Sequence, residues 1–250
     1  MPVVFLPRQI APEGVDYLTA RGYTLKYASA MDEDTLAKEI VGCDAMLLRT
    51  AHATRKVLAA EPRLKIVARH GVGLDIIDVE AATELGIQVT NTPSSNGISV
   101  AEYAICGMMA VARKLFPLSE AAKRGDFFYK NHCQGSELSG KTLGLVGMGF
   151  IGSQVAKIAA LGFGMKVLAY SGHTKGKAIP DYVTLADWDT VFSASDFISI
   201  HIPLRPENIG LIGAREFALM KPSAIFVNTA RGKVVREEDL IEALRTHQIA

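Results

Sequence analysis

The stretch "LGLVGMGFIGSQVA", residues 143–156, decides the fold. An apolar, strand-like segment runs through Gly147, Gly149 and Gly152 into a segment that reads as a helix over 150–163. The G-x-G-x-x-G spacing alone is a weak signal; its place between a strand and a helix gives it meaning. The first glycine makes a tight turn, the second lets backbone approach a pyrophosphate, and the third lets helix and strand pack closely. The helix N-terminus then offers free N–H groups and the positive end of its dipole to the anion. Gly147, Gly149 and Gly152, with the backbone N–H groups of Phe150 and Ile151, are candidate dinucleotide-binding positions.

Outward from this turn the pattern is β-α in both directions. Towards the C-terminus, "KVLAYS" (166–171), "DFISIHI" (196–202) and "AIFVNTA" (224–230) read as strands. "REEDLIEALRTH" (236–247) reads as a helix with an acidic start, and "QIA" looks like the start of a further strand. Towards the N-terminus, "VVFL", "YTLKYA", "AMLLR", "LKIVAR" and "IQVTNT" read as strands separated by amphipathic helices such as "DEDTLAKEI" and "DVEAATELG". Such alternation is the signature of a parallel sheet covered by helices, an α/β fold. "NGISVAEYAICGMMAVARKLF" (96–116) differs, being long, largely apolar and without a strand. It reads as one buried helix that bridges two domains or faces a second subunit.

The bulk numbers exclude several classes. Apolar residues make up 49 % of the 250, enough for a sizeable core, and 27 basic against 26 acidic residues leave a net charge of +1. No basic block invites nucleic acid or an anionic membrane. Cys43, Cys106 and Cys133 are far apart and in no Cys/His cluster, which argues against a disulfide framework or a metal site. No apolar run approaches the roughly 20 residues of a bilayer span. The expectation is a cytoplasmic protein.

Two further positions carry chemistry. In NAD-binding units an acidic residue about 20 positions on holds the ribose 2′-hydroxyl. Here Ser171 lies 19 residues after Gly152, Asp181 is too far along, and His173, Lys175 and Lys177 follow in the same loop. A small polar residue backed by positive charge predicts a 2′-phosphate, hence NADPH in preference to NADH. The other position is Arg231, at the end of "FVNTARGKVV" (226–235). A guanidinium makes a planar, two-pronged contact with a carboxylate or keto-acid oxygens, and strand ends carry ligand sites in open α/β sheets.

Together with "LKIVARHGVGLDIIDVEAATELGIQVTNTPSSNGISVAEYA", "ELSGKTLGLVGMGFIGSQVA", "DFISIHIPL" and "FVNTARGKVVREEDLIEAL", these motifs resemble the D-isomer-specific 2-hydroxyacid dehydrogenases, from about Ala45 to Ala250. The resemblance implies two doubly wound parallel-sheet domains with a cofactor cleft between them. A flavodoxin-like substrate domain would span 1–97 and a Rossmann cofactor domain 98–250. It implies hydride transfer between NAD(P)H and a small 2-keto or 2-hydroxy acid. Arg231 would orient the acid, and the N–H groups of Val72 and Gly73 would hold its carboxylate. His201 and Pro203 would lie beside the cofactor, with Thr229 and Ala230 near the nicotinamide end.

The family's glutamate and histidine, its general acid/base pair, would lie beyond residue 250, so the expectation is a C-terminally truncated chain. His52, His70 and His201 have no carboxylate spaced to orient them. Phe150 stands where many members have an arginine to contact pyrophosphate. The rival reading is a binding module that senses nicotinamide redox state, and a weaker one is a dimer-forming fragment without ligand. Arg8, Arg49 and Arg69 suit either a phosphorylated acid or a charged surface. The apolar helix 96–116 and the one after it predict a homodimer.

Overall fold

The computed structural model describes residues 1–172 and 178–250, which divide into two compact units, Met1–Asn96 and Gly97–Ala250.

In the first unit the strands are β1 (Val3–Leu6), β2 (Thr24–Tyr27), β3 (Ala45–Leu48), β4 (Ile66–Arg69) and β5 (Gln88–Thr90). The helices are α1 (Pro12–Thr19), α2 (Glu33–Glu39), α3 (Arg55–Ala59) and α4 (Val79–Glu84). The starts of α2 and α4 follow from their capping residues. The Asp32 carboxylate accepts from the Thr35 N–H at 3.0 Å and that of Asp78 from Ala81 at 2.8 Å, satisfying donors that a helix start leaves orphaned. The sheet is parallel with order β2-β1-β3-β4-β5, the flavodoxin-like order. Phe5, Met46, Leu48 and Val67 pack on Leu36, Ile40, Val57 and Ala81.

The second unit holds α5 (Gly97–Ala112), α6 (Leu115–Lys123), β6 (Thr142–Val146), α7 (Phe150–Lys157), β7 (Lys166–Tyr170), β8 (Val183–Leu185), α8 (Trp188–Ala194), β9 (Phe197–Ile200), α9 (Ala214–Leu219), β10 (Ile225–Asn228) and α10 (Glu237–Arg245). Its parallel order, β10-β9-β6-β7-β8, is that of a dinucleotide-binding half with two further strands beyond the switch point between β6 and β9. One layer of the core sets Leu143, Leu145, Val167 and Ala169 against Ala104, Met108, Val155 and Ala156. The other sets Ile198 and Ile200 against Val191, Phe192 and Phe217. Each sheet uses one aspartate to fix the entry of a neighbouring strand: Asp44 accepts the Val3 N–H, and Asp196 the Thr142 N–H, both at 2.8 Å.

Two expectations need correction. The apolar helix does not run unbroken over 96–116: it stops at Ala112, Lys114 takes a left-handed conformation (φ 53°), and α6 begins at Leu115. Pro117 is the cause. It has no N–H, and in a continuous helix its ring would clash with the carbonyl four residues back; in the first turn of α6 neither matters. Nor is this helix wholly buried, since Ile98, Tyr103, Met109 and Val111 are exposed. The helix expected over 150–163 is present over that span, α-helical to Lys157 and π-helical over Ile158–Gly162.

Candidate functional site

The Gly-rich turn is built as its spacing demands. Strand β6 is buried from Leu143 to Val146. Gly147 then turns with φ 105°, a conformation side chains rarely adopt. A Cβ on Gly147 would meet the His201 carbonyl oxygen at 2.6 Å, and one on Gly152 would collide with the carbonyl oxygen of Gly147. Nothing lies within 4 Å of a Cβ on Gly149 among the described residues. Gly149 caps α7 with extended backbone, and its carbonyl takes the first helical bond, from Ser153 at 3.0 Å. The N–H groups of Phe150, Ile151 and Gly152 form the first turn, where a helix has no internal acceptors. The turn is therefore closed behind by two glycines and open in front at the third. That shape, with helix donors facing the opening, fits a dinucleotide pyrophosphate. The Phe150 side chain is half exposed and its ring lies where a side chain on Gly97 would sit, so it packs on the start of α5.

Around this turn lie the other candidates. The Gly147 N–H donates to the Tyr170 carbonyl at 2.9 Å, which sets the end of β7, and Ser171 after it, beside the turn. His173, Lys175 and Lys177 lie outside the described residues. On the other side the His201 N–H donates to the Val146 carbonyl at 2.8 Å. The His201 ring contacts the buried Ser199 hydroxyl through Nε2 at 2.9 Å, and burial pushes its pKa down to about 4. It is a neutral, hydrogen-bonded group. Pro203 turns its carbonyl to the Asn208 side-chain amide at 2.8 Å.

At the end of β10 the structure supplies a residue that sequence reasoning missed. The Asn228 side chain accepts from the Ala230 N–H at 3.0 Å and donates to the Arg231 carbonyl at 2.8 Å. This clamp fixes Thr229, Ala230 and Arg231 in one turn. Asparagine bonding its own backbone two residues on is a known turn device, so the signal was present in "VNTAR". Arg231 is half-buried and donates through Nη1 to the Ala230 carbonyl at 2.8 Å. The Thr229 hydroxyl is buried without a hydrogen-bond partner among the described residues. The strand leading to this turn is less enclosed than its apolar sequence suggests, with Ile225 buried and the next three residues half-buried.

In the first unit, "RHGVG" forms a laced loop. Arg69 donates to the carbonyls of Gly73 at 2.9 Å and Arg49 at 2.6 Å. Asn91 donates to the Val72 carbonyl at 2.8 Å, and the Gly71 N–H to the Thr92 hydroxyl at 3.1 Å. The Val72 and Gly73 carbonyls are thus committed to the protein. Arg69 is a brace for this loop, while Arg8 and Arg49 are exposed.

Residues 105–250 match the model of the D-isomer specific 2-hydroxyacid dehydrogenase NAD-binding domain. The chain is 39% identical to a D-3-phosphoglycerate dehydrogenase of Archaeoglobus fulgidus over 249 residues, covering 99% of this chain and 47% of that protein. It is 44% identical to a hydroxypyruvate reductase of Thermotoga maritima over 213 residues, covering 85% of this chain and 68% of the other. Among solved structures, an acyclic imino acid reductase in complex with NADPH and D-Arg superposes with a TM-score of 0.88 at 27% identity, covering all of this chain and 80% of that one. The chain spans about half the length of the phosphoglycerate dehydrogenases it matches.

Proposed function

Since this chain belongs to the D-isomer-specific 2-hydroxyacid dehydrogenase family, we propose that it takes part in hydride transfer between a nicotinamide dinucleotide and a small 2-keto or 2-hydroxy acid. One observation carries the reading: the Asn228-clamped turn holds Arg231 at the C-terminal edge of the same sheet whose β6 ends in the Gly-rich turn. A cation suited to an acid and a cradle suited to a dinucleotide share one sheet edge.

The bound cofactor would supply or accept the hydride. The α7 N-terminus binds its pyrophosphate through backbone donors, Phe150 contributing no charge. Ser171 faces the adenosine ribose and, unlike an aspartate, does not repel a 2′-phosphate; NADPH is the preferred form and NADH remains usable. Thr229 and Ala230 line the nicotinamide end, and the neutral His201 and Pro203 lie beside the cofactor. In the second unit Arg231 orients an acid and polarises its carbonyl; in the first unit the N–H groups of Val72 and Gly73 suit a carboxylate. The test is oxidation of NADPH and NADH with glyoxylate, hydroxypyruvate and larger 2-keto acids, beside direct cofactor titration. Failure to bind either cofactor overturns the proposal.

The second reading is a nicotinamide-sensing module without efficient turnover. Tight cofactor binding without keto-acid reduction would select it.

We also propose a homodimer. The outer faces of α5 and α6 expose Tyr103, Met109, Leu115 and Phe116 beside an apolar groove of about 430 Å³ that includes Cys106, Ile158 and Phe163. A second copy would cover this surface. Light scattering should give twice the monomer mass at micromolar concentration, and a monomer mass would refute the dimer. Among the described residues no helix is long and apolar enough to cross a membrane.

A further inference from the structure

Several helical segments start on a side chain that accepts a backbone N–H: Asp32, Thr54, Asp78, Asp126 and Asp187. The short 3₁₀ segment Pro206–Asn208 instead starts on Arg205, which makes no capping bond. Arginine has no acceptor and cannot cap. Two other arginines stand at such positions, and both have local work: Arg231 donates to the Ala230 carbonyl and Arg236 to that of Gly210. Arg205 has a loose contact with Glu207 at 3.8 Å, its side chain is 54% exposed, and it makes no hydrogen bond among the described residues. A local preference broken without local gain is expected where function chooses the residue.

The position of Arg205 gives that function a direction. It lies four residues past His201 on the loop leaving β9, beside the switch point where open α/β sheets bind ligands. Gly147 abuts the His201 carbonyl on one side and bonds the Tyr170 carbonyl on the other. The loops after β6, β7 and β9 are therefore in contact around the turn. Across the described residues of those loops, 147–152, 170–172 and 201–205, Arg205 is the one permanent cation. Ser171, at the end of β7, brings a hydroxyl and no charge.

We infer that Arg205 is a cofactor-specificity residue, its guanidinium engaging the 2′-phosphate of a phosphorylated dinucleotide from the β9 side while Ser171 approaches from the β7 side. The inference rests on the dinucleotide reading above and assigns a charge to a loop that reading left without one. A guanidinium presents several donors to phosphate oxygens in a fixed fork. Glu207 is the acidic group beside it and would be exchanged for the phosphate.

The experiment is calorimetric titration of the protein and its Arg205→Ala and Arg205→Lys variants with NADPH, NADH, adenosine 2′,5′-bisphosphate and AMP. Arg205 is exposed, so neither change threatens the fold. The expected result is NADPH and the bisphosphate bound about tenfold more weakly by Arg205→Ala, with NADH and AMP unchanged. Arg205→Lys should lie between, having the charge without the fork. The variant's NADPH affinity should also depend less on salt. Equal losses for phosphorylated and unphosphorylated ligands would overturn the inference, assigning Arg205 to adenine or pyrophosphate instead, and no loss at all would also overturn it. The two readings fail separately. If the unmodified protein binds NADH more tightly than NADPH, the Ser171 assignment falls, and the bisphosphate arm still decides whether Arg205 meets a 2′-phosphate.

Discussion

Gly149 and Gly152 are three residues apart in one turn, yet alanine should harm the protein in opposite ways at the two positions. A Cβ on Gly152 would overlap the Gly147 carbonyl oxygen and sit 3.1 Å from its carbon, with the His201 Cβ at 3.6 Å. None of these is the end of a flexible side chain, so α7 must be pushed from β6. Overpacking of this kind costs about 1–3 kcal/mol. For a unit of this size that is a fall in Tm of about 2–4 °C per kcal/mol. At Gly149 a Cβ meets nothing within 4 Å and φ is −76°, which alanine adopts freely. Gly149→Ala should therefore leave Tm unchanged or slightly raised, since alanine narrows the unfolded ensemble by about 0.4–1 kcal/mol. The same methyl would stand in the opening where a pyrophosphate approaches the helix donors. Cofactor affinity should drop at least tenfold, the equivalent of about 1.4 kcal/mol. Thermal melts without ligand, paired with fluorescence titration of NADPH and NADH, separate the two effects. Gly149→Ala binding either cofactor as tightly as the unmodified protein would refute the cradle assignment. An unchanged melting point in Gly152→Ala would refute the packing argument.

Arg231→Ala should lower kcat/KM for keto-acid reduction by about 10²–10³-fold with cofactor affinity retained. Arg231→Lys should not restore it, because the two-pronged contact is lost; full activity in either variant would remove Arg231 from the reaction. Ser171→Asp should invert the cofactor order, weakening NADPH about tenfold or more relative to NADH, as read by titration of both; an unchanged order would place the ribose elsewhere. For His201 the sign follows from a folded pKa of about 4, below the ordinary 6.5. The unfolded chain takes up the proton first, so this contribution to stability is complete above pH about 6.5 and declines as pH falls towards about 4, by at most ~3 kcal/mol. Denaturant unfolding across that range should show a shallower acid decline in His201→Asn than in the unmodified protein; parallel declines would show that His201 titrates normally.

What the sequence disclosed and what it concealed divide along physical lines. Strand and helix alternation was legible because apolar periodicity reports burial directly, and the Gly-rich turn because steric exclusion leaves glycine alone at Gly147 and Gly152. The missed elements, α3, β8, α8 and α9, are three to seven residues long, about as short as α2, α4 and β5, which were legible, so length alone did not hide them. Lys114 was hidden because its left-handed turn is imposed by Pro117, three residues on, rather than by its own type. At the site, residue types were legible and their partners were not. "VNTAR" announces an arginine at a strand end, but the Asn228 amide orders it through bonds to the Ala230 N–H and the Arg231 carbonyl, both beyond Thr229. Likewise His201 cannot be told from a catalytic histidine by spacing. Its neighbour two residues back along β9, the Ser199 hydroxyl, gives it a neutral partner, and burial lowers its pKa. Arg69 is the sharpest case. From sequence it is one of three arginines open to a phosphorylated acid; in the fold its guanidinium is spread over the carbonyls of Leu48, Arg49, His70 and Gly73. A side chain with five donors and no acceptor settles wherever the backbone leaves carbonyls clustered, and that clustering arises only once β3 and β4 lie side by side and the loop after β4 folds back on them.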